Sequence, residues 1–213
     1  NANMIYASSA ATYGDSNRFE VGFEKPNNVY GFSKVMMDNI TYEYLKKDLD
    51  ISIVGLKYFN VYGPREFYKN KTASMVVQFG HQILKGLTPK LFEGSDKILR
   101  DFIYIEDIIQ ANVLATNPKN SGVYNVGTGN ARSFEDIVNI LQKELEIDNG
   151  KEYIPNPYVG QYQFFTQANI ETTKENLGYE PKFSMEDGIR AYIPEIKRLF
   201  DEEIKKWIIL NLE

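Results

Sequence analysis

The sequence predicts an α/β protein built on a parallel sheet. Short β-rich apolar runs alternate with stretches of helical pattern, the order expected of βαβ units. The clearest of these runs, Ile51-Ser52-Ile53-Val54-Gly55-Leu56-Lys57-Tyr58, ends in a loop signal, Asn60-Val61-Tyr62-Gly63-Pro64. Polar residues also gather at inferred strand ends: Ser8-Ser9 after the first strand, Asn60 after the second, Arg100-Asp101 beside the third. Open α/β sheets bind ligands outside the carboxyl ends of their strands.

Taken in order, a strand is expected over 3–8 and a helix over 30–47. A second strand covers 51–58, and a helix over 72–85 is stopped by Gly86 and Pro89. Lys90-Leu91-Phe92 forms a short strand before the turn Glu93-Gly94-Ser95-Asp96. Phe102 to Ile105 is a strand, followed by a helix to 116 whose first turn carries Glu106 and Asp107, favourable at the positive end of the helix dipole. Val123 to Val126 is a strand that runs into Gly127-Thr128-Gly129, and Ser133 is an N-cap for a helix to 146. Lys151 to Ile154 is a strand, and helices close the chain at 171–177 and 184–210. The apolar tail Trp207-Ile208-Ile209-Leu210 suits packing of that last helix or contact with a partner. The opening Asn1-Ala2-Asn3-Met4 leads straight into a strand that reads as buried, so an N-terminal part is expected to precede it.

Composition narrows the function. The 213 residues are 43% hydrophobic, which fits a soluble globular protein of one large domain or two small ones. A net charge of −5 argues against a broad nucleic-acid surface. With no cysteine there is no disulfide, thiolate metal site or cysteine nucleophile, which agrees with a cytoplasmic protein. The single histidine, His81, cannot build a His-rich metal site and is read as structural, so no metal is expected. No apolar run approaches the ~20 residues needed to span a bilayer.

The chemistry centres on Tyr30-Gly31-Phe32-Ser33-Lys34. Residues i and i+4 share a helix face one turn apart. A free phenol ionises near pH ~10, and a neighbouring ammonium favours the phenolate, which suits a general base. Ser9 is placed to hydrogen-bond the same oxygen or a substrate hydroxyl. Taken alone, the Tyr–Lys spacing is also that of an ordinary half-exposed helix face.

The wider text settles the choice. Tyr6-Ala7-Ser8-Ser9-Ala10-Ala11-Thr12-Tyr13-Gly14, Val29-Tyr30-Gly31-Phe32-Ser33-Lys34, Tyr58-Phe59-Asn60-Val61-Tyr62-Gly63-Pro64-Arg65 and Arg100-Asp101-Phe102-Ile103-Tyr104 resemble the extended short-chain dehydrogenase/reductase family, which includes the nucleotide-sugar epimerases and dehydratases. Gly63-Pro64-Arg65-Glu66 with Lys69, Pro89 to Ser95, and Tyr162 to Ala168 look like its branch of 6-epimerases that act on ADP-linked heptose.

The resemblance implies a Rossmann-type sheet, with N-terminal strands absent, and a smaller substrate-binding α/β portion. Residues 1–66 and 100–120 would belong to the first, and 67–99 and 121–213 to the second. It implies NADP as cofactor and ADP-heptose as substrate, in a homo-oligomer, often a pentamer, serving lipopolysaccharide precursor synthesis. Tyr30 would be the first acid–base residue, with Lys34 assisting and also contacting the nicotinamide ribose. Lys69 would be the second, although Lys71 lies only two positions away. Ser9 would position the substrate, and Tyr58 would join Tyr30 and Lys34 at the cofactor. Asn60, Phe92, Glu93, Arg100 and Tyr162 would lie near the ADP moiety, where Phe92 either stacks on adenine or packs in the core.

Two features bear on that resemblance. The glycine-rich loop and the basic residue that would hold NADP are missing, and Gly127-x-Gly129 reads as a turn rather than as that loop. A 4,6-dehydratase would carry an acidic pair near Ser9, where this chain has Ala10-Ala11. A 4-epimerase, or a non-catalytic nucleotide-binding module, is the remaining alternative.

Overall fold

The computed structural model describes residues 3–47, 50–157 and 164–210, the side chains of 203–210 excepted. The element order is β1 (Met4–Ser9), α1 (Val29–Leu45), β2 (Ile53–Tyr58), β3 (Asn60–Tyr62), α2 (Met75–Leu84), β4 (Lys90–Phe92), β5 (Leu99–Tyr104), α3 (Ile105–Leu114), β6 (Gly122–Val126), β7 (Ala131–Ser133), α4 (Phe134–Leu145), β8 (Glu152–Ile154), α5 (Glu171–Leu177) and α6 (Met185–Leu210). The fold is α/β, with a parallel sheet in the order β1-β2-β6. Two smaller sheets have the orders β3-β5-β7 and β4-β8.

The chain divides into two compact units. The first holds residues 1–61, 100–132 and 163–182, and the second holds 62–99, 133–162 and 183–213. The expected boundaries differ from this at 62–66, which lie with the second unit, and at 121–132 and 163–182, which lie with the first. The cause of the latter is β6, which hydrogen-bonds along β2 from Val54↔Gly122 to Tyr58↔Val126. Thr173 of α5 then donates to the carbonyl of Asn125 in β6, drawing the later segment with it.

In the first unit β2 lies between its neighbours and is buried almost throughout, as a strand covered on both faces must be. Val54 and Leu56 join Tyr13, Ile103, Val126 and Tyr179 in the core, each such side chain contributing about 1.5–3 kcal/mol. The helix α1 begins at Asn28, whose side chain accepts from the Gly31 N–H. Unlike a typical surface helix, it also exposes apolar side chains, among them Val29, Phe32, Met36 and Ile40. A β-carbon on Gly31 would sit 2.4 Å from the Ala11 carbonyl oxygen, so only glycine lets α1 approach the turn after β1.

In the second unit α2, α4 and α6 pack together. Ser133 caps α4 in a capping box with Asp136, as its position in the sequence predicts. The His81 ring lies 5.6 Å from that of Phe67 and 6.1 Å from that of Phe200, in keeping with a structural role. The side chains of the apolar tail from Trp207, and residues 158–163 with Tyr162, lie outside the described residues.

Asn60 to Tyr62, read from sequence as loop, is β3 instead and pairs with β5. Short 3-10 segments at Ala10–Thr12, Phe67–Thr72 (kinked at Asn70) and Ser95–Lys97 also carry no hydrophobic period that a sequence reading could detect.

Candidate active site

Strand β1 ends at Ser9, which caps the following turn by accepting from the Ala11 N–H at 3.1 Å. That bond uses a lone pair and leaves the Ser9 proton available to a ligand. The helix α1 runs back along β1. Gly31 abuts Ala11, the Lys34 Nζ donates to the Ala7 carbonyl at 2.7 Å, and Asp38 accepts from Tyr6 and Ser8. One turn of helix, about 5.4 Å, matches roughly two strand residues. Tyr30, one turn before Lys34, precedes Gly31, whose Cα lies against the Ala11 carbonyl in the turn that follows Ser9.

Tyr30 is 56% exposed, and among the described residues no hydrogen bond engages its hydroxyl. The Lys34 Nζ lies 5.8 Å from the Tyr30 ring centroid, so the two side chains share one face, as their spacing predicts. An ammonium has three N–H donors, and Ala7 takes one. The buried tyrosines behave differently: burial pushes the phenols of Tyr6, Tyr13 and Tyr179 well above the usual range, which keeps them protonated.

Tyr58 does not join this group. It lies beside Ser9 in the strand register, but its hydroxyl donates to Asn112 of α3 at 3.0 Å. Alternation along β2 sends Lys57 to α1 and Tyr58 to the opposite face. Asn60 is exposed at the start of β3. Arg100 is buried, at 7% exposure, near the start of β5. Asp101 beside it is structural. It accepts from the N–H groups of Thr128, Gly129 and Ala168 and from the Thr128 hydroxyl, at 2.6–3.0 Å. The Thr128 and Gly129 N–H groups are thus committed to Asp101, in keeping with a turn. A β-carbon on Gly127 would sit 2.7 Å from that carboxylate.

Lys69 belongs to the second unit, on the 3-10 segment Phe67–Thr72. Both Lys69 and Lys71 are exposed. The Lys69 backbone is pinned from both sides, its N–H donating to the Glu66 carbonyl at 2.9 Å and its carbonyl accepting from Thr72 at 2.8 Å. The loop itself is closed by the buried carboxylate of Glu66, which accepts from the Gly63 N–H, the Ser74 N–H and the Ser74 hydroxyl. Phe92 is half-buried in β4, and Glu93 after it is exposed. Phe92, Leu91, Phe79 and Phe134 wall a cavity of about 130 Å³ that Ser95 also lines, its hydroxyl buried without a hydrogen-bond partner.

Sequence reasoning missed the polar cluster beneath the first group. Lys57 is fully buried, and its Nζ meets Asp38 at 2.6 Å, the Thr12 hydroxyl at 2.9 Å and Glu24 at 3.0 Å. The available signal was a lysine inside an otherwise apolar buried strand, which must find anionic partners. Glu66 gave no comparable signal.

These features meet a known family. The model of the NAD dependent epimerase/dehydratase family matches residues 1–127, and the chain belongs to that family. Among solved structures it is similar to the Helicobacter pylori ADP-L-glycero-D-manno-heptose-6-epimerase, at 48% identity and a TM-score of 0.79, over 91% of this chain and 59% of that one. The Thermotoga maritima UDP-glucose 4-epimerase, solved with UDP-glucose, matches at 26% identity and a TM-score of 0.81, over 92% and 63% of the two chains. The Thermus thermophilus UDP-glucose 4-epimerase, solved with NAD, matches at 25% identity and a TM-score of 0.77, over 92% and 64%. The chain thus spans less than two thirds of the length of these relatives.

Proposed function

We propose that the protein carrying this chain epimerises C6 of the heptose in ADP-D-glycero-D-manno-heptose, giving the L-glycero epimer as a precursor of lipopolysaccharide core. The observation that carries the reading is an exposed Tyr30 that shares a helix face with the Lys34 ammonium, itself bonded to Ala7 near the end of the parallel strand that closes on Ser9. The choice of substrate is supported by the 48% identity to the heptose epimerase.

The residues present fit one end of a dinucleotide. Tyr30 and Lys34 offer a hydroxyl and spare ammonium donors suited to a ribose, whereas the glycine turn at 127–129 is committed to Asp101. Bound NADP would supply a reversible hydride acceptor. Tyr30 would take the proton of the C6 hydroxyl while that carbon is oxidised to the ketone. Ser9 donates to the sugar oxygen. After the sugar turns over, Lys69 would deliver the proton that completes the inverted alcohol on reduction from the opposite face. Two acid–base groups are useful because the hydroxyl points in opposite directions before and after. Phe92 with the apolar cavity and the Ser95 hydroxyl suits a purine, and Arg100, Asn60 and Glu93 are proposed at the rest of the ADP moiety. A cytoplasmic homo-oligomer goes with this reading.

The test is substrate profiling of the full-length protein with ADP-, UDP- and GDP-linked sugars. Conversion of the ADP-heptose alone is expected. Turnover of UDP-glucose in its place would make the protein a 4-epimerase, and binding of ADP with no turnover of any sugar would make it a non-catalytic module.

A further inference from the structure

We propose that Lys57 is a positioning residue for Tyr30, acting through Asp38 and Glu24; this rests on the acid–base role given to Tyr30. The Lys57 ammonium has three N–H donors and meets three acceptors, each from a different segment: Asp38 on α1, Glu24 in the loop before α1, and Thr12 in the turn after Ser9. Asp38 is held from β1 as well, accepting from Tyr6 and Ser8 at 2.9 Å, and Thr41 donates to the Tyr6 hydroxyl at 3.0 Å. Ser8 faces Lys57 across the β1–β2 register. Every segment that carries or flanks Ser9 and Tyr30 is thus tied to one atom of β2.

Such a cluster is a poor source of stability. Desolvating each ion costs several kcal/mol, and apolar replacement of a buried ion group is often neutral or stabilising. Its contribution is geometric. Tyr30 is more than half exposed, so its ring is not set by core packing, and misplacement of a reacting group by about 1 Å can cost 10²-fold in rate.

The test compares three variants of the full-length protein: Lys57→Met, Glu24→Gln, and the neutral combination Lys57→Met/Asp38→Asn/Glu24→Gln. Lys57→Met removes the cation facing the buried Asp38 and the half-buried Glu24 and is expected to lose folding stability, so the other two decide. Glu24→Gln should lower kcat at least 10-fold with KM within twofold. The neutral combination should recover the melting temperature without recovering kcat, a split that a merely structural role does not produce. Recovery of kcat together with stability, or Glu24→Gln turning over within twofold of wild type, would overturn the proposal. If wild type converts no nucleotide sugar, the functional reading fails separately. The positioning claim is then decided by crystal structures of wild type and the neutral combination, in which the Tyr30 Oη to Ser9 Oγ separation should differ by about 1 Å; an unchanged separation would overturn it.

Discussion

The Lys34 Nζ, on the second turn of α1, donates a 2.7 Å hydrogen bond to the carbonyl oxygen of Ala7, two residues short of the end of β1. One bond thus sets the helix against the strand and holds a positive charge one turn below Tyr30. Lys34→Met removes both effects. A hydrogen bond from a charged donor is worth about 1.5–3 kcal/mol when buried and less at this half-exposed position, so a loss of about 1 kcal/mol is expected in urea unfolding. Turnover should fall by at least 10²-fold. Near-normal turnover at reduced stability would restrict Lys34 to a structural role.

Tyr30→Phe separates chemistry from folding. The hydroxyl meets solvent and not the core, so stability should change by no more than about 0.5 kcal/mol. The rate should drop by 10²–10⁴-fold, the usual range for losing a general acid–base group, with substrate affinity within threefold of wild type. Isothermal titration and steady-state kinetics check the two halves. Unchanged turnover would remove Tyr30 from the mechanism.

The second acid–base group is tested by comparing Lys69→Met with Lys71→Met. The pinned backbone of Lys69 favours it as the group held in place, so kcat should fall by at least 10²-fold for Lys69→Met and by less than threefold for Lys71→Met. The reverse pattern would move the role two residues along. Glu66→Gln should weaken the loop that carries both, costing about 1–3 kcal/mol in unfolding because a buried amide group then faces the Gly63 or Ser74 donors.

Asp101 predicts a pH dependence of stability. Burial raises its proton affinity above the usual carboxylate value, while the hydroxyl of Thr128 and three N–H donors oppose the rise. A carboxyl raised in the folded state contributes stability below its unfolded value, about pH 3.9, and loses that contribution as pH rises through the folded value. Asp101→Asn should destabilise the fold by roughly 2–5 kcal/mol at neutral pH, since an amide nitrogen must face N–H donors. The gap between wild type and variant should shrink as pH rises through that window. A gap that widens there would contradict the raised value.

Much of this was legible from residue order. The alternation of β-rich runs and helical periods placed β1, β2, β6 and the main helices within a few residues, because each has an apolar pattern tied to its own geometry. Tyr30 and Lys34 were legible because helix periodicity alone puts i and i+4 on one face. Tyr58 was assigned to the cofactor by its neighbours in the motif, whereas strand alternation turns it toward Asn112. β3 escaped notice because three residues followed at once by Gly63-Pro64 carry turn chemistry stronger than any strand signal. The Lys57–Asp38–Glu24 cluster joins residues far apart in the chain, and only the tertiary fold brings them together.

The most direct measurement gives the full-length protein ADP-D-glycero-D-manno-heptose deuterated at C6 and follows the label by NMR. The account predicts conversion to the L-glycero epimer with deuterium kept at C6, because the hydrogen leaves and returns as hydride without meeting water. Epimer formed with the label washed into solvent, or no epimer from correctly folded protein loaded with NADP, would contradict it.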